Sequence, residues 1–165
     1  MQQKFRQLIT SHQDRLFSVA YGLLGQSGEA EEVVQDSFIK LWENLSELES
    51  KRILPWLIRV TRNACLDILR RRKFQTSLAV ANGRDELTEV ATPVTTAEND
   101  RLRDSLRNAI EELKEPHRSL IILREIEGLD YDAIGEALDL NPSQVKVYLY
   151  RARRQLRHEL QEFAQ

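Results

Sequence analysis

The chain has 165 residues, 41% of them hydrophobic and 30% charged, with a formal net charge of -2, which suits one ordinary domain or two very small ones and is too apolar for wholesale disorder. A single cysteine, Cys65, excludes an internal disulfide framework and a multi-cysteine metal site, and His12, His117 and His158 have no metal-ligand spacing. No apolar run approaches the roughly 20 residues of a bilayer span, and no secretory stretch follows Met1, so the composition reads as a cytoplasmic helical protein without direct membrane insertion.

Glycine (6) and proline (4) are scarce, and good helix formers dominate, so the fold class predicted is all-α. Phe5, Leu8, Ile9, His12, Leu16, Val19, Ala20 and Leu23 recur at helical spacing and predict one helix over 4–24, ended by Gly25. Ser27-Gly28-Glu29 restarts a second, with Val33, Val34, Phe38, Leu41, Trp42 and Leu45 on its apolar side. A third begins near Leu54 with Pro55 in its first turn. Its inner face is Leu57, Val60, Ala64 and Ile68, and it runs out in Arg70-Arg71-Arg72-Lys73. Residues 75–97, rich in Thr, Ala and Val and holding Gly83 and Pro93, keep no steady period and predict a flexible linker. Two small helical domains follow from this, 1–74 and 98–165.

In the second half Leu102, Leu106, Ala109, Ile110 and Leu113 mark one helix. Pro116 starts the next, with Leu120, Ile121, Leu123, Arg124 and Ile126, and Gly128 ends it. Tyr131, Ile134, Ala137 and Leu138 form a short helix. Asn141-Pro142-Ser143 carries helix-start chemistry, with Asn141 or Ser143 as cap. The last helix places Val145, Leu149, Ala152, Leu156 and Leu160 on one stripe.

Charge is strongly patterned along these elements. Residues 1–50 carry a net -4, 51–73 a net +7, 74–100 and 101–140 each -4, and 141–165 a net +3. Two helical basic blocks in an overall acidic chain point to nucleic acid, although a charge run is commonly just a solvated face. A short helix, a tight turn and a longer basic helix form the layout of a helix-turn-helix, whose second helix enters the major groove. Ser143, Gln144, Lys146, Val147 and Tyr150 near its start can reach bases, while Arg151, Arg153 and Arg154 can meet phosphates, and Tyr148 lies off the apolar stripe too.

The third helix is the other basic block. Opposite its apolar face lie Arg59, Arg62, Asn63, Leu66, Arg70 and Lys73, with Trp56 at its start. Cations with an amide and a ring suit a single strand. The plainer reading makes Trp56 a core residue and Asp67 an i,i+4 partner of Asn63 or Arg71.

EAEEVVQDSFIKLWENL (29–45), PWLIRVTRNACLDILRRRK (55–73) and LREIEGLDYDAIGEALDLNPSQVKVYLYRARRQLRHEL (123–160) occur in that order, and together they resemble the sigma-70 family of transcription initiation factors, extracytoplasmic-function type. The resemblance implies core RNA polymerase and promoter DNA as partners, with an anti-sigma factor that clamps both domains. It implies a polymerase-binding patch at Gln35, Asp36, Phe38, Leu41 and Trp42. It implies -10 DNA binding by Trp56 and Asn63, with a base-holding loop near Ser46–Leu54, and the basic face of the same helix adds Arg59, Arg62 and Arg70 as expected -10 contacts. It implies -35 binding through the last helix, with Lys146, Tyr150 and Arg151 on contact positions. Val147 and Tyr148 stand where the family commonly has a small polar residue and an arginine, and Gly135 stands where it has alanine. No nucleophile–base pair, metal cluster or phosphate-cradling loop is evident, so neither enzymatic activity, a cofactor nor a small-molecule substrate is expected. The alternatives from the residues alone are a helix-turn-helix regulator with 1–74 as sensor or dimerisation domain, and a helical adaptor.

Overall fold

Gly25 shows how the first half is punctuated. The computed structural model describes residues 1–83 and 97–163, and α1 (Gln2–Leu24) ends at this glycine with φ 70°, its N–H donating to the Tyr21 carbonyl. Left-handed backbone at that position carries no side-chain penalty only for glycine. α2 (Ser27–Asn44) follows, with Glu29 in its first turn, where a carboxylate meets the positive end of the helix. Two 3-10 turns, Leu45–Glu47 and Ser50–Arg52, lead into α3 (Ile53–Ala81). Leu16 and Leu23 of α1, Phe38 and Leu41 of α2, and Ile53, Leu57, Ile58 and Cys65 of α3 are buried together. The buried polar pair between α2 and α3 is satisfied: Thr61 donates to Ser37 Oγ at 3.0 Å, and Ser37 donates to the Val33 carbonyl at 2.7 Å.

α3 does not stop at Lys73. It continues to Ala81, seven residues into the segment read as linker. Extending a formed helix costs far less than nucleating one, and no glycine or proline interrupts the chain before Gly83. The apolar period vanishes there because nothing packs on these turns: Phe74, Leu78 and Val80 are all exposed. The remainder of that segment, 84–96, lies outside the described residues.

The second half comprises α4 (Ala97–Glu112), α5 (His117–Ile121) running into a π-helical turn (Ile122–Ile126), α6 (Tyr131–Leu138) and α7 (Pro142–Phe163). Leu102, Leu106 and Ile126, expected on apolar faces, are exposed, while Ala109, Ile110 and Leu113 carry the packing of α4. Asp130 caps α6 by accepting from the Ala133 N–H at 2.7 Å. Among the described residues there is no strand, and no helix is long and apolar enough to cross a membrane.

The two halves pack on one another. α3 lies against α6, and the Ile122 side chain sits over Gly22, where an added β-carbon would meet it at 3.4 Å. Arg118 of α5 donates to the Leu23 carbonyl at 2.6 Å.

Candidate nucleic-acid and partner interfaces

The helix-turn-helix is built by a three-residue turn between α6 and α7. Asp139 takes a left-handed φ of 56°, which aspartate tolerates better than most residues, and the Leu140 N–H donates to the Gly135 carbonyl at 2.9 Å. Asn141, rather than Ser143, starts α7: its Oδ1 accepts from the Gln144 N–H at 2.8 Å, and Gln144 Oε1 accepts from the Asn141 N–H at 2.9 Å. This reciprocal capping box fixes where the helix begins. Val145, Leu149 and Ala152 are then fully buried against the domain.

That register exposes Ser143, Gln144, Lys146, Val147, Tyr150, Arg151 and Arg154. The expected -35 residues therefore share one open surface, with two exceptions in role. Gln144 already uses its carbonyl oxygen in the cap, leaving its amide N–H groups to act on a ligand. Tyr148 is half-buried and tilts against His117 of α5 at 6.0 Å, so it turns to the domain instead of the groove side. Arg153 is bound to Glu125 of the π-helical turn, and that hydrogen bond holds its pKa above the ordinary value. The pair is exposed on both sides, so it occupies Arg153 Nε while leaving the rest of the guanidinium open to solvent. Further along α7, Arg151, Arg154, Gln155, Arg157, His158 and Gln161 line one shallow depression, a basic surface suited to a backbone.

On α3 the expected -10 residues split between two environments. Trp56 is half-buried against the core, which fits the plainer reading of it. Asn63 is exposed in a groove between α2 and α3, lined also by Asp36, Ile39, Lys40, Asp67 and Arg71. Arg70 is exposed and pairs with Asp67 at 3.0 Å, so Asp67 is partnered at i,i+3 and not by the i,i+4 residues expected. Arg59 and Arg62 instead face the second half of the chain. Arg59 donates through Nε to the Ala137 carbonyl at 3.2 Å and through Nη2 to the Glu136 carbonyl. Arg62 donates to Ser119 Oγ at 2.7 Å and pairs with Glu115 at 3.0 Å. Sequence reasoning missed these acceptors, because nothing local links residues more than 50 positions apart.

The α2 patch needs one correction. Gln35 and Asp36 are exposed, and Trp42 keeps an open face while its edge meets Phe5 at 5.0 Å. Leu41, however, is 0% exposed and Phe38 only 6%. Both are core residues that set the helix in place; the apolar residue actually presented beside Asp36 is Ile39, 57% exposed. Its position off the predicted apolar side was the available signal.

Cys65 is buried and its thiol is pushed up to about 12, chiefly by burial. Among the described residues no group of three or more His, Cys, Asp or Glu side chains is placed to hold a metal ion.

Comparison with known proteins bears on both surfaces. The sigma-70 region 2 family matches residues 8–75, and sigma-70 region 4 matches residues 103–156. The chain is 32% identical over 155 residues to the ECF RNA polymerase sigma factor SigE of Mycolicibacterium smegmatis, covering 93% of this chain and 60% of that protein. It is 25% identical over 170 residues to SigW of Bacillus subtilis, covering 98% and 91%. The chain thus spans three fifths of the first relative's length and about nine tenths of the second's. Among solved structures, CnrH bound to the cytosolic domain of CnrY shares its fold with TM-score 0.74 and 22% identity, over 98% of this chain and 90% of that one. RpoE of Bartonella quintana, in complex with the anti-sigma factor NepR, does so with TM-score 0.75 and 23% identity, over 96% and 97%.

Proposed function

The chain belongs to the sigma-70 family, extracytoplasmic-function type, a family of transcription initiation factors, and from that premise we propose which of its surfaces do which part of the work. The exposed row of α7, with Lys146, Val147, Tyr150, Arg151 and Arg154, reads the -35 element in the major groove. This row is the observation that carries the reading, since the capping box and the buried Val145/Leu149/Ala152 stripe leave it no other partner surface in the fold. α3 and the loop before it take the -10 strand, with Asn63 beside an extruded base and Arg59, Arg62 and Arg70 on phosphates. Gln35, Asp36, Ile39 and Trp42 engage core RNA polymerase.

Recognition by binding alone is sufficient for this role. Extruding a base costs a few kcal/mol, offset by its pocket and by the polymerase contacts that hold both domains on the promoter. The protein works in the cytoplasm, where core polymerase and DNA are found. An anti-sigma factor is its regulator, a reading supported by the RpoE–NepR complex of like fold. Run-off transcription on genomic DNA by core polymerase, with and without this protein, tests the whole assignment. New discrete transcripts with it are expected, and identical transcript sets overturn it.

A further inference from the structure

The cap at the start of α7 orients a side chain as well as fixing where the helix begins. The Asn141 N–H donates to Gln144 Oε1 at 2.9 Å, and the Gln144 N–H donates to Asn141 Oδ1 at 2.8 Å. A main-chain N–H can only donate, so the atom it meets on Gln144 is the amide oxygen and never the nitrogen. The oxygen is thus occupied at the helix end. The two amide N–H groups remain, and among the described residues nothing accepts from them. Gln144 also stands at the head of a line. Gln144, Val147, Arg151 and Arg154 follow one another at spacings of three, four and three, all exposed, and so share one face of α7. The N-terminal end of a recognition helix is the part that approaches base edges.

We propose that Gln144 is a specificity-determining residue for the -35 element, a donor-only reader held by its own cap, and that it selects guanine. This rests on the assignment of α7 to the -35 element. Guanine offers two neighbouring acceptors in the major groove, O6 and N7, and thymine offers one, O4, beside its methyl group. Adenine and cytosine each present an amino group there, which a donor can only oppose. The usual contact of glutamine with adenine uses the amide oxygen and nitrogen together, and here the oxygen is engaged. Leaving the cap to read adenine would strand the Asn141 N–H at the helix end. The order at that base is therefore guanine, then thymine, with adenine and cytosine disfavoured.

Gln144→Glu tests this with little disturbance, because glutamate is a standard partner in such a cap and suits the positive end of a helix. One carboxylate oxygen keeps the Asn141 N–H, and the other puts an acceptor where the donor was. The full chain and core polymerase transcribe a saturation library of the -35 element, with wild type, Gln144→Glu, Gln144→Met and Lys146→Ala compared. Wild type should favour guanine over adenine by about five- to tenfold at one position. Gln144→Glu should turn that position toward cytosine, whose N4 donates, with a thermal midpoint no lower than wild type. Gln144→Met, which has no donor, should bring the four bases there within about twofold of one another. If Gln144→Glu weakens every sequence equally and leaves the preference unchanged, Gln144 is a phosphate contact and the proposal falls. A wild-type preference for adenine at the position Gln144→Glu alters also overturns it, since the side chain would then have left its cap. A preference untouched by Gln144→Glu but altered by Lys146→Ala removes Gln144 alone and keeps α7 as the reader. A preference untouched by either variant overturns the assignment of α7, and the selection of guanine with it.

Discussion

Gly135 lies directly beneath the Leu140 carbonyl: a β-carbon on Gly135 would stand 2.6 Å from that oxygen. The contact is main chain on main chain, so no side chain can turn aside to relieve it. It fixes how closely the turn wraps α6, and therefore where α7 starts. Gly135→Ala gains helix propensity of about 1 kcal/mol but must push the turn outward, an overpacking cost of about 1–3 kcal/mol. A net loss of stability is expected, read as a lower urea midpoint with weaker -35 duplex binding. Equal or greater stability would show that the turn moves freely.

The two kinds of residue on α2 should separate experimentally. Gln35→Ala with Asp36→Arg changes only exposed groups, and is expected to weaken capture of core polymerase while leaving the thermal midpoint within a degree or two. Leu41→Ala, at a fully buried site, should cost about 2–5 kcal/mol of stability. If the exposed pair left polymerase capture intact, the docking surface would lie elsewhere.

Asn63 sits in the open groove between α2 and α3, away from the closed interface. Asn63→Ala should reduce open-complex formation and leave duplex binding by α7 unaltered. Permanganate footprinting of the melted strand measures the first, and equal reactivity in both proteins would remove Asn63 from the base pocket.

Along α7, contacts to bases and to phosphates predict different signatures. A bidentate contact from Lys146 or Arg151 to guanine discriminates by about 1–3 kcal/mol, so a guanine-containing -35 element is expected. Val147 cannot donate a hydrogen bond and suits the methyl of thymine. In a saturation library of the element, Lys146→Ala and Val147→Ser should each alter preference at one or two positions. Arg154→Ala should weaken all sequences about equally. A preference untouched by the first two variants would disqualify α7 as the reader.

Cys65 supplies a pH prediction. Its thiol pKa is raised by burial from 9.0 to about 12, so the folded state holds the proton where the unfolded chain has lost it. The stabilisation is therefore complete below about 9 and is lost as pH rises toward 12, with stability falling through that window. Native protein should resist maleimide at pH 8 and react fully in denaturant, and Cys65→Ala should flatten the alkaline decline. Rapid labelling of native protein would contradict the buried placement.

Local chemistry made much of the molecule legible from its residues. Gly25 and Gly128 end helices and Asn141-Pro142-Ser143 starts one by local rules that need only a few neighbouring residues, with Asn141 or Ser143 as cap until the hydrogen bonds to Gln144 select Asn141, and the Val145/Leu149/Ala152 stripe follows from helical periodicity. The exposed row on α7 is what remains when that stripe is buried, so it could be named in advance. The length of α3 past Lys73 escaped because periodicity reports packing, and its last turns pack on nothing. Leu41 and Phe38 were misassigned because family likeness marks a helix, while burial decides which of its side chains a partner can touch. Above all, only the tertiary structure joined Arg59 to α6 and Arg62 to Ser119 and Glu115. Those contacts link arginines to acceptors more than 50 residues away in the chain, and a sequence states which polar groups exist, whereas the docking of two domains decides which of them meet.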